Sequence, residues 1–245
     1  MEKYFGINYE FDKDVIHRRI DMQLQEGVPS YICVADGVIL DIANRDIDYL
    51  NVINGGMFSI CDSSYVPMYI KWIYGKRYSQ YCGSEIFRDI VSSKKYRMFF
   101  MGASRDVLTG LKENLSLLNE KVSDMTFYEL PFLSVEAFDY ERIGEMINND
   151  GADIIWVALG APKQEIFMSK LLPFLNKGVM IAVGAAFKFY SGIGVPRAPE
   201  WMVNCHLEFV HRIIKEPKKQ LGRCTNIVAS LPKLFIRELK NKRNN

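Results

Sequence analysis

The stretch from Asp153 to Glu165 constrains the fold of this chain most, because it has the pattern of a strand, a sharp turn and a helix in direct succession. Its apolar run, Ile154 to Leu159, is typical of a strand covered on both faces in a parallel sheet. Gly160 permits the turn, and Pro162 suits the first turn of a helix, where no amide hydrogen is needed. The pattern predicts an α/β fold with a Rossmann-like parallel sheet and flanking helices.

The same stretch predicts an anion site at one edge of that sheet. A helix N-terminus presents free amides and the positive end of the helix dipole, and ligands bind where the carboxyl ends of the strands meet. Lys163 and Gln164 would sit at this mouth, the lysine to meet phosphate and the glutamine to donate and accept hydrogen bonds. The alternative is an ordinary strand-to-helix turn, which recurs throughout α/β folds.

Composition indicates a soluble globular protein. The 245 residues are 49% hydrophobic and 24% charged, enough for one domain with an appendage or for two small domains. Five cysteines without close paired spacing indicate neither a disulfide framework nor a zinc site, and they fit a reducing cytosol. The first fifteen residues lack the apolar core of a signal peptide, and no apolar run approaches the length that spans a bilayer. A cytoplasmic protein, soluble or peripheral to a membrane, is expected.

Charge is distributed unevenly along the chain. From His206 to Asn245 there are ten Lys or Arg and three Glu, whereas residues 1–205 carry a net charge of about −5. Apolar residues from Ile227 to Leu239 recur at helical spacing, interrupted by Pro232, as in a basic helix that lies on anionic lipid. The alternative is a terminal helix packed on the domain with a solvated charged face. A nucleic-acid partner is not expected, since no recognition helix or RNP motif accompanies the charge.

Polar residues and glycines follow several predicted strands. Asp36 follows the strand Ser30 to Val34, and Asp62 lies at the end of the segment Met57 to Ser64. From residue type and position alone, Asp62 is expected to cap the following helix, as Asp does readily. Gly102, after a third strand, should let a ligand approach the backbone. It belongs to no G-x-G-x-x-G motif, so no NAD site is predicted.

Three ordered blocks carry a resemblance to a known family. Ala158 to Glu165, read as Ala-Leu-Gly-Ala-Pro-Lys-Gln-Glu, resembles a signature of the WecG/TagA/CpsF glycosyltransferases. These bacterial enzymes include N-acetylmannosaminyl and N-acetylmannosaminuronic acid transferases. Arg197 to Trp201 and the segment from Leu207 to Pro217 resemble the downstream blocks of the same family. With weaker echoes back to Val34, the resemblance covers roughly residues 30–235.

The resemblance implies an inverting glycosyltransferase of surface polysaccharide synthesis. Such an enzyme would move an N-acetylmannosamine-like sugar, or a related hexose, from a nucleotide-diphosphate donor, with UDP expected, to a polyprenyl-diphosphate-linked sugar. It implies metal-independent chemistry without a cofactor, in which fixed cations and helix amides stabilise the leaving group. It also implies a peripheral location on an anionic membrane surface, at the inner face of the cell membrane. Assembly into a homo-oligomer is left open.

The resemblance also assigns residues. Asp62 matches the catalytic base. The expected substrate-binding set lies at strand ends and in the basic tail, and it comprises Asp36, Gly102, Gly160, Lys163, Gln164, Lys188, Arg197, Arg212 and Lys219. A catalytic domain at residues 1–195 would be followed at 196–245 by a basic, membrane-proximal appendage that closes over the active site.

Several positions depart from the family pattern; among them, Asp36 stands where an Asn is common, which keeps an acceptor but loses a donor. Val34 stands where a Thr is expected, Gln80 where an Arg is expected, and Lys188 where an Asp contributes to nucleotide binding. These departures leave two interpretations open. The enzyme has altered donor specificity, or the chain is a catalytically impaired paralogue that binds a partner or the polyprenyl substrate in the same pathway.

Overall fold

The computed structural model describes residues 1–193, 202, 214 and 217–244, with the side chains of the last segment described mainly from residue 229 onward. Its strands are β1 (Glu2–Tyr4), β2 (Ile7–Glu10), β3 (Ser30–Ala35), β4 (Phe58–Cys61), β5 (Met98–Gly102), β6 (Thr126–Tyr128), β7 (Ile154–Ala158) and β8 (Val179–Ala182). They form one sheet in the order β1-β2-β4-β3-β8-β7-β5-β6. Only the β1–β2 pair of this sheet is antiparallel. The predicted α/β fold with a Rossmann-like parallel sheet is confirmed.

The helices cover both faces of the sheet. In chain order they are α1 (Lys13–Glu26), α2 (Gly37–Ala43), α3 (Ile47–Asn54), α4 (Tyr65–Tyr74), α5 (Gly83–Ser93), α6 (Arg105–Leu118), α7 (Tyr140–Asp150), α8 (Lys163–Leu171), α9 (Ala186–Ser191) and α10 (Pro217–Asn244). Buried side chains of α2, α3, α4, α7, α8 and α10 pack on one face, and those of α1, α5, α6 and α9 pack on the other.

Alternation along the central strands explains their continuous apolar sequences. In β7, Ile155 and Val157 pack on the first face, while Ile154 and Trp156 pack on the second. Both faces are therefore buried, as expected for a parallel sheet inside a layered α/β fold. The carboxyl ends of β3, β4, β7 and β8 lie side by side at one edge of the sheet.

The last helix continues through Pro232, where the sequence predicted an interruption. Its end packs on α2 and α4. Leu234 joins the core of the first face, Glu238 is buried, and the Tyr74 hydroxyl donates to Glu238 Oε1 over 3.0 Å. The alternative of a terminal helix packed on the domain therefore describes this part of α10. None of the described helices is long and apolar enough to cross a membrane.

Candidate active site

Two aspartates stand at neighbouring strand ends. Asp36 directly follows β3 and Asp62 directly follows β4, and these strands are paired in parallel as far as Ala35 and Cys61. The backbone N–H of Asp62 also donates to the Ala35 carbonyl over 3.1 Å. The parallel register thus places both carboxylates at the same edge of the sheet.

Local helix starts give these two aspartates different roles. Asp36 is the N-cap of α2, where its Oδ1 accepts from the backbone N–H groups of Val38 at 2.9 Å and Ile39 at 3.0 Å. After β4, by contrast, the cap position of α4 is Ser64. Asp62 lies two residues before that cap position, and its role as a base stays a prediction.

The β7–α8 turn forms the second half of this edge. Gly160 has φ of +78°, which is the left-handed conformation that favours glycine, and α8 begins three residues later. The Gly160 N–H donates to Gln164 Oε1 over 3.0 Å, and Gln164 Nε2 donates to Glu165 Oε1 over 2.8 Å. A Cβ built on Gly184, just beyond β8, would lie 3.7 Å from Gln164 Oε1 and 3.8 Å from Nε2. The ends of β7 and β8 therefore meet at the Gln164 amide.

Glu165 is a buried acid that the sequence interpretation left without a role. Its side chain is 0% exposed, and its Oε2 accepts from the Tyr49 hydroxyl on α3 over 3.1 Å. Burial is the main cause that raises the pKa of Glu165 from 4.5 to about 7, and the nearby Asp36 adds to the rise. The hydrogen bonds from Gln164 and Tyr49 act in the opposite direction. Glu165 thus links the turn after β7 to α3 and, electrostatically, to the start of α2.

Lys163 does not point into this edge. Its ammonium donates to the Leu133 carbonyl and lies 5.4 Å from the ring centre of Phe132 and 5.0 Å from that of Phe138. These partners belong to the connection between β6 and α7. To meet a phosphate, as the sequence predicts, the lysine would have to leave them.

Gly102 has a structural explanation of its own. Its φ is +104°, and a Cβ there would lie 2.6 Å from the Ala158 carbonyl oxygen on neighbouring β7. Close approach of the two strands therefore requires glycine whether or not a ligand is present. Its role in substrate binding stays a prediction.

Val34, Gln80 and Lys188, which depart from the family pattern, differ in their exposure to solvent. Val34 is buried, and a Cβ on Gly83 at the start of α5 would lie 3.1 Å from its Cγ1. Gln80 donates to Cys82 Sγ over 3.2 Å. Lys188 is exposed on α9, directly after the fully buried Phe187. The only departure in this set that presents a charge to solvent is Lys188.

The tail contributes one described contact near the site. A Cβ on Gly37, at the first residue of α2, would lie 2.9 Å from Ile227 Cδ1 of α10 and 2.7 Å from the Tyr65 hydroxyl of α4. The helix thus passes the start of α2, next to Asp36. Arg197, Arg212 and the side chain of Lys219 lie outside the described residues. Among those that are described, no three His, Cys, Asp or Glu side chains are grouped to hold a metal ion.

Comparison with known proteins agrees with this architecture. Residues 4–245 match the model of the Glycosyl transferase WecG/TagA/CpsF family. The chain belongs to this glycosyltransferase family. An N-acetylglucosaminyldiphosphoundecaprenol N-acetyl-beta-D-mannosaminyltransferase of Bacillus subtilis (strain 168) is 27% identical over 233 residues, covering 90% of this chain and 83% of the relative. The protein of the same description from Bacillus spizizenii is 25% identical over 229 residues, covering 90% and 82%.

Proposed function

We propose that this glycosyltransferase moves an N-acetylmannosamine-like sugar, or a related hexose, from a UDP donor to a polyprenyl-diphosphate-linked sugar. The relatives' names describe transfer of N-acetylmannosamine to a lipid-diphosphate-linked N-acetylglucosamine. The observation that carries the proposal for this chain is the strand edge itself. Asp62 lies there beside Asp36 and on the same edge as the Gln164 turn.

The donor is proposed to lie across the ends of β3, β8 and β7. Gln164 Nε2 carries two hydrogens, and its described hydrogen bonds use one, so the other is available to a ribose or sugar hydroxyl. Gly184 leaves the amide without a side chain directly over it. Lys188, exposed after β8, is proposed to meet the diphosphate in place of the acidic residue expected from the family.

The chemistry proposed is a single displacement with inversion. The acceptor hydroxyl oxygen bonds to the anomeric carbon while Asp62 takes the hydroxyl proton. The bond from that carbon to the nucleotide diphosphate breaks, and the diphosphate leaves with the bonding electron pair. Helix amides and cations, with Lys188 and the tail residues Arg197, Arg212 and Lys219 as candidates, would stabilise the leaving group without a metal ion.

A surface formed by α4 and α10 supports attachment to an anionic membrane. Trp72 of α4 is 62% exposed, and the Phe235 ring of α10 packs against it at 6.3 Å between ring centres. Ile236, next along α10, is exposed as well. Among the side chains that the structure describes on these two helices, the exposed cations are Lys71, Lys233, Arg237, Lys240 and Lys242, whereas the nearby Glu238 is buried. Aromatic and apolar side chains among cations are the pattern of a surface that lies on anionic lipid.

Two observations favour the alternative of a catalytically impaired paralogue. Lys188 reverses the charge expected at a nucleotide contact, and Val34 is buried without a polar atom to offer. In that case the chain would bind the lipid-linked sugar or a transferase partner without turnover. A shared binding surface on α4 and α10 would serve both functions.

Transfer of labelled sugar from UDP-N-acetylmannosamine to a polyprenyl-diphosphate-linked N-acetylglucosamine tests the proposal. The expected result is product that requires both substrates and persists in the presence of a chelator. Donor and acceptor binding without product would favour the impaired paralogue instead. For the membrane surface, Trp72→Ala should reduce sedimentation with anionic vesicles, while Leu117→Ala, at an 86% exposed position on α6, should not. Equal loss in both variants would contradict a lipid-facing role for Trp72.

A further inference from the structure

Burying the Glu165 carboxylate in its charged form costs free energy, yet this side chain lies in the candidate site and accepts hydrogen bonds from two donors. Gln164 Nε2 donates to one carboxylate oxygen over 2.8 Å and the Tyr49 hydroxyl donates to the other over 3.1 Å. A fully buried carboxylate is tolerated when such partners satisfy it. These hydrogen bonds explain how a buried acid is tolerated here, but they do not by themselves give it a function.

The geometry of Gln164 indicates a function for Glu165. Its amide could be turned either way, but Gly160 presents an N–H to one end and Glu165 presents an oxygen to the other. Turning the amide over would set its NH₂ group against the Gly160 N–H and its oxygen against the Glu165 carboxylate. Both contacts would be unfavourable, because an ionised carboxylate only accepts and a backbone N–H only donates. Glu165 and Gly160 together therefore fix which end of the amide is the donor.

We propose that Glu165 is a positioning residue that holds the Gln164 amide with its remaining Nε2 hydrogen available to the sugar nucleotide. This inference rests on the proposed function, because it assumes that Gln164 contacts the sugar nucleotide. Gln164 itself is only 4% exposed, so its amide can offer a ligand one edge and cannot easily reorient in solvent. Tyr49 holds the second oxygen of Glu165 and so extends the same support to α3.

The orientation depends on the charge of Glu165. The ionised carboxylate can only accept, whereas the protonated acid has an O–H that can donate to a reversed Gln164 oxygen. Burial raises the pKa of Glu165 to about 7, so both forms are populated near neutral pH. The titratable groups that influence Glu165 from the elements around it are Asp36 at the start of α2, Tyr49 on α3 and Cys33 on β3. Binding of the sugar nucleotide should therefore weaken as pH falls below about 7.

Nuclear magnetic resonance of the Gln164 side-chain amide tests the positioning without any substrate. In the wild-type protein its ¹⁵N and ¹H shifts should titrate with a midpoint near pH 7, because burial raises the pKa of Glu165 to about 7. In Glu165→Gln, a near-isosteric change that has both a donor and an acceptor, this titration should disappear. Tyr49→Phe, which removes one stabilising hydrogen bond to the carboxylate, should raise the midpoint. Gln164→Ala identifies the signals by their loss.

Calorimetry with UDP-N-acetylmannosamine provides the functional arm. At pH 8, Glu165→Gln should bind about tenfold more weakly than the wild type, the loss expected when one hydrogen bond to a ligand is misplaced. In a Gln164→Ala background, the same substitution should have no further effect, because it acts through that amide. Additive losses, or a Gln164 signal that is indifferent to Glu165→Gln in a folded protein, would overturn the proposal. If the wild type binds no sugar nucleotide, the proposed function fails, and the amide titration still decides the role of Glu165.

Discussion

The two halves of the strand edge hold their polar groups in different ways. At the ends of β3 and β4, Asp36 and Asp62 are partly exposed, and the starts of α2 and α4 decide their roles. At the ends of β7 and β8, Gln164 and Glu165 are buried and are held by each other, by Gly160 and by Tyr49. The first half is set by local capping, whereas the second depends on contacts across the fold.

This difference suggests a division of labour in the proposed reaction. A base must meet the acceptor and exchange its proton with solvent after each turnover, which suits a partly exposed carboxylate. A group that only recognises the donor works best when it is fixed in advance, because a preorganised hydrogen bond costs little to order on binding. In the first half, effects on turnover and effects on stability should therefore come from different substitutions. In the second half, substitutions should change how binding of the sugar nucleotide depends on pH.

The largest effect is expected from Asp62→Asn. Removing the proposed base should lower turnover by about 10²-fold or more, while donor affinity changes little. Because Asn has nearly the size and shape of Asp, urea unfolding of the variant separates this loss of turnover from any loss of stability. Turnover by the purified variants on the lipid-linked acceptor measures this effect. Asp48→Asn, at an exposed position in the first turn of α3, is the matched control. Wild-type turnover in Asp62→Asn would remove the base assignment.

Glu165→Gln should change how stability depends on pH. In the folded protein the pKa of Glu165 is raised from 4.5 to about 7, so the folded state binds this proton more tightly than the unfolded state. Its contribution to stability is present in full below about pH 4.5 and is lost as pH rises through about 7. The loss is on the order of 3 kcal/mol, since each pKa unit corresponds to about 1.4 kcal/mol.

Urea unfolding between pH 5 and 8 measures the difference between the wild type and Glu165→Gln. The variant should gain stability relative to the wild type as pH rises, because its amide does not titrate. Cys82→Ser, at a buried position away from this network, controls for the general effect of a buried substitution. A difference that stays constant across this pH range would mean that Glu165 ionises normally.

Asp36→Ala is expected to cost stability, and Asp62→Ala is the comparison at the other strand end. Loss of the cap removes Asp36 Oδ1, the acceptor for the Val38 and Ile39 N–H groups, which typically costs about 1 kcal/mol. Asp36→Asn should recover most of this stability, because Asn caps helices nearly as well as Asp. Chemical denaturation of the four proteins tests the contrast between the two strand ends. Equal losses in Asp36→Ala and Asp62→Ala would show that the two aspartates do not differ as structural groups.

The sequence was informative where structure is local. Apolar runs predicted β3 and β7 to within one residue, and β4 lies inside the segment Met57 to Ser64. The three-residue strands β1 and β6 were missed, because segments that short carry too little periodicity. Pro232 was expected to interrupt the last helix, but α10 continues through it. There the burial of Leu234 and Glu238 against the domain supports the helix beyond the proline.

Contacts between distant segments were not predictable in the same way. Glu165 was part of the motif that suggested the site, but its burial depends on Tyr49, which lies 116 residues away. Lys163 was expected at the mouth, yet its partners come from the connection after β6, a segment to which the motif gave no clue. A pattern of residue types identifies which side chains share a sheet edge. Whether a charged one faces solvent or another loop depends on packing that the pattern does not contain.

The smallest effect is expected at Lys188, which lies between the two halves after β8. Because this lysine is exposed, Lys188→Gln should change stability by less than about 0.5 kcal/mol. If its ammonium meets the donor diphosphate, the variant should bind UDP a few-fold more weakly in low salt. The difference should shrink as ionic strength rises, since exposed charges are screened over roughly 10 Å at 0.1 M salt. Lys170→Gln, on the far part of α8, controls for the change in net charge. Calorimetry with UDP at two salt concentrations would measure both variants. Tighter binding in Lys188→Asp than in the wild type would show that the lysine opposes the nucleotide, and it would favour the impaired paralogue over the active transferase.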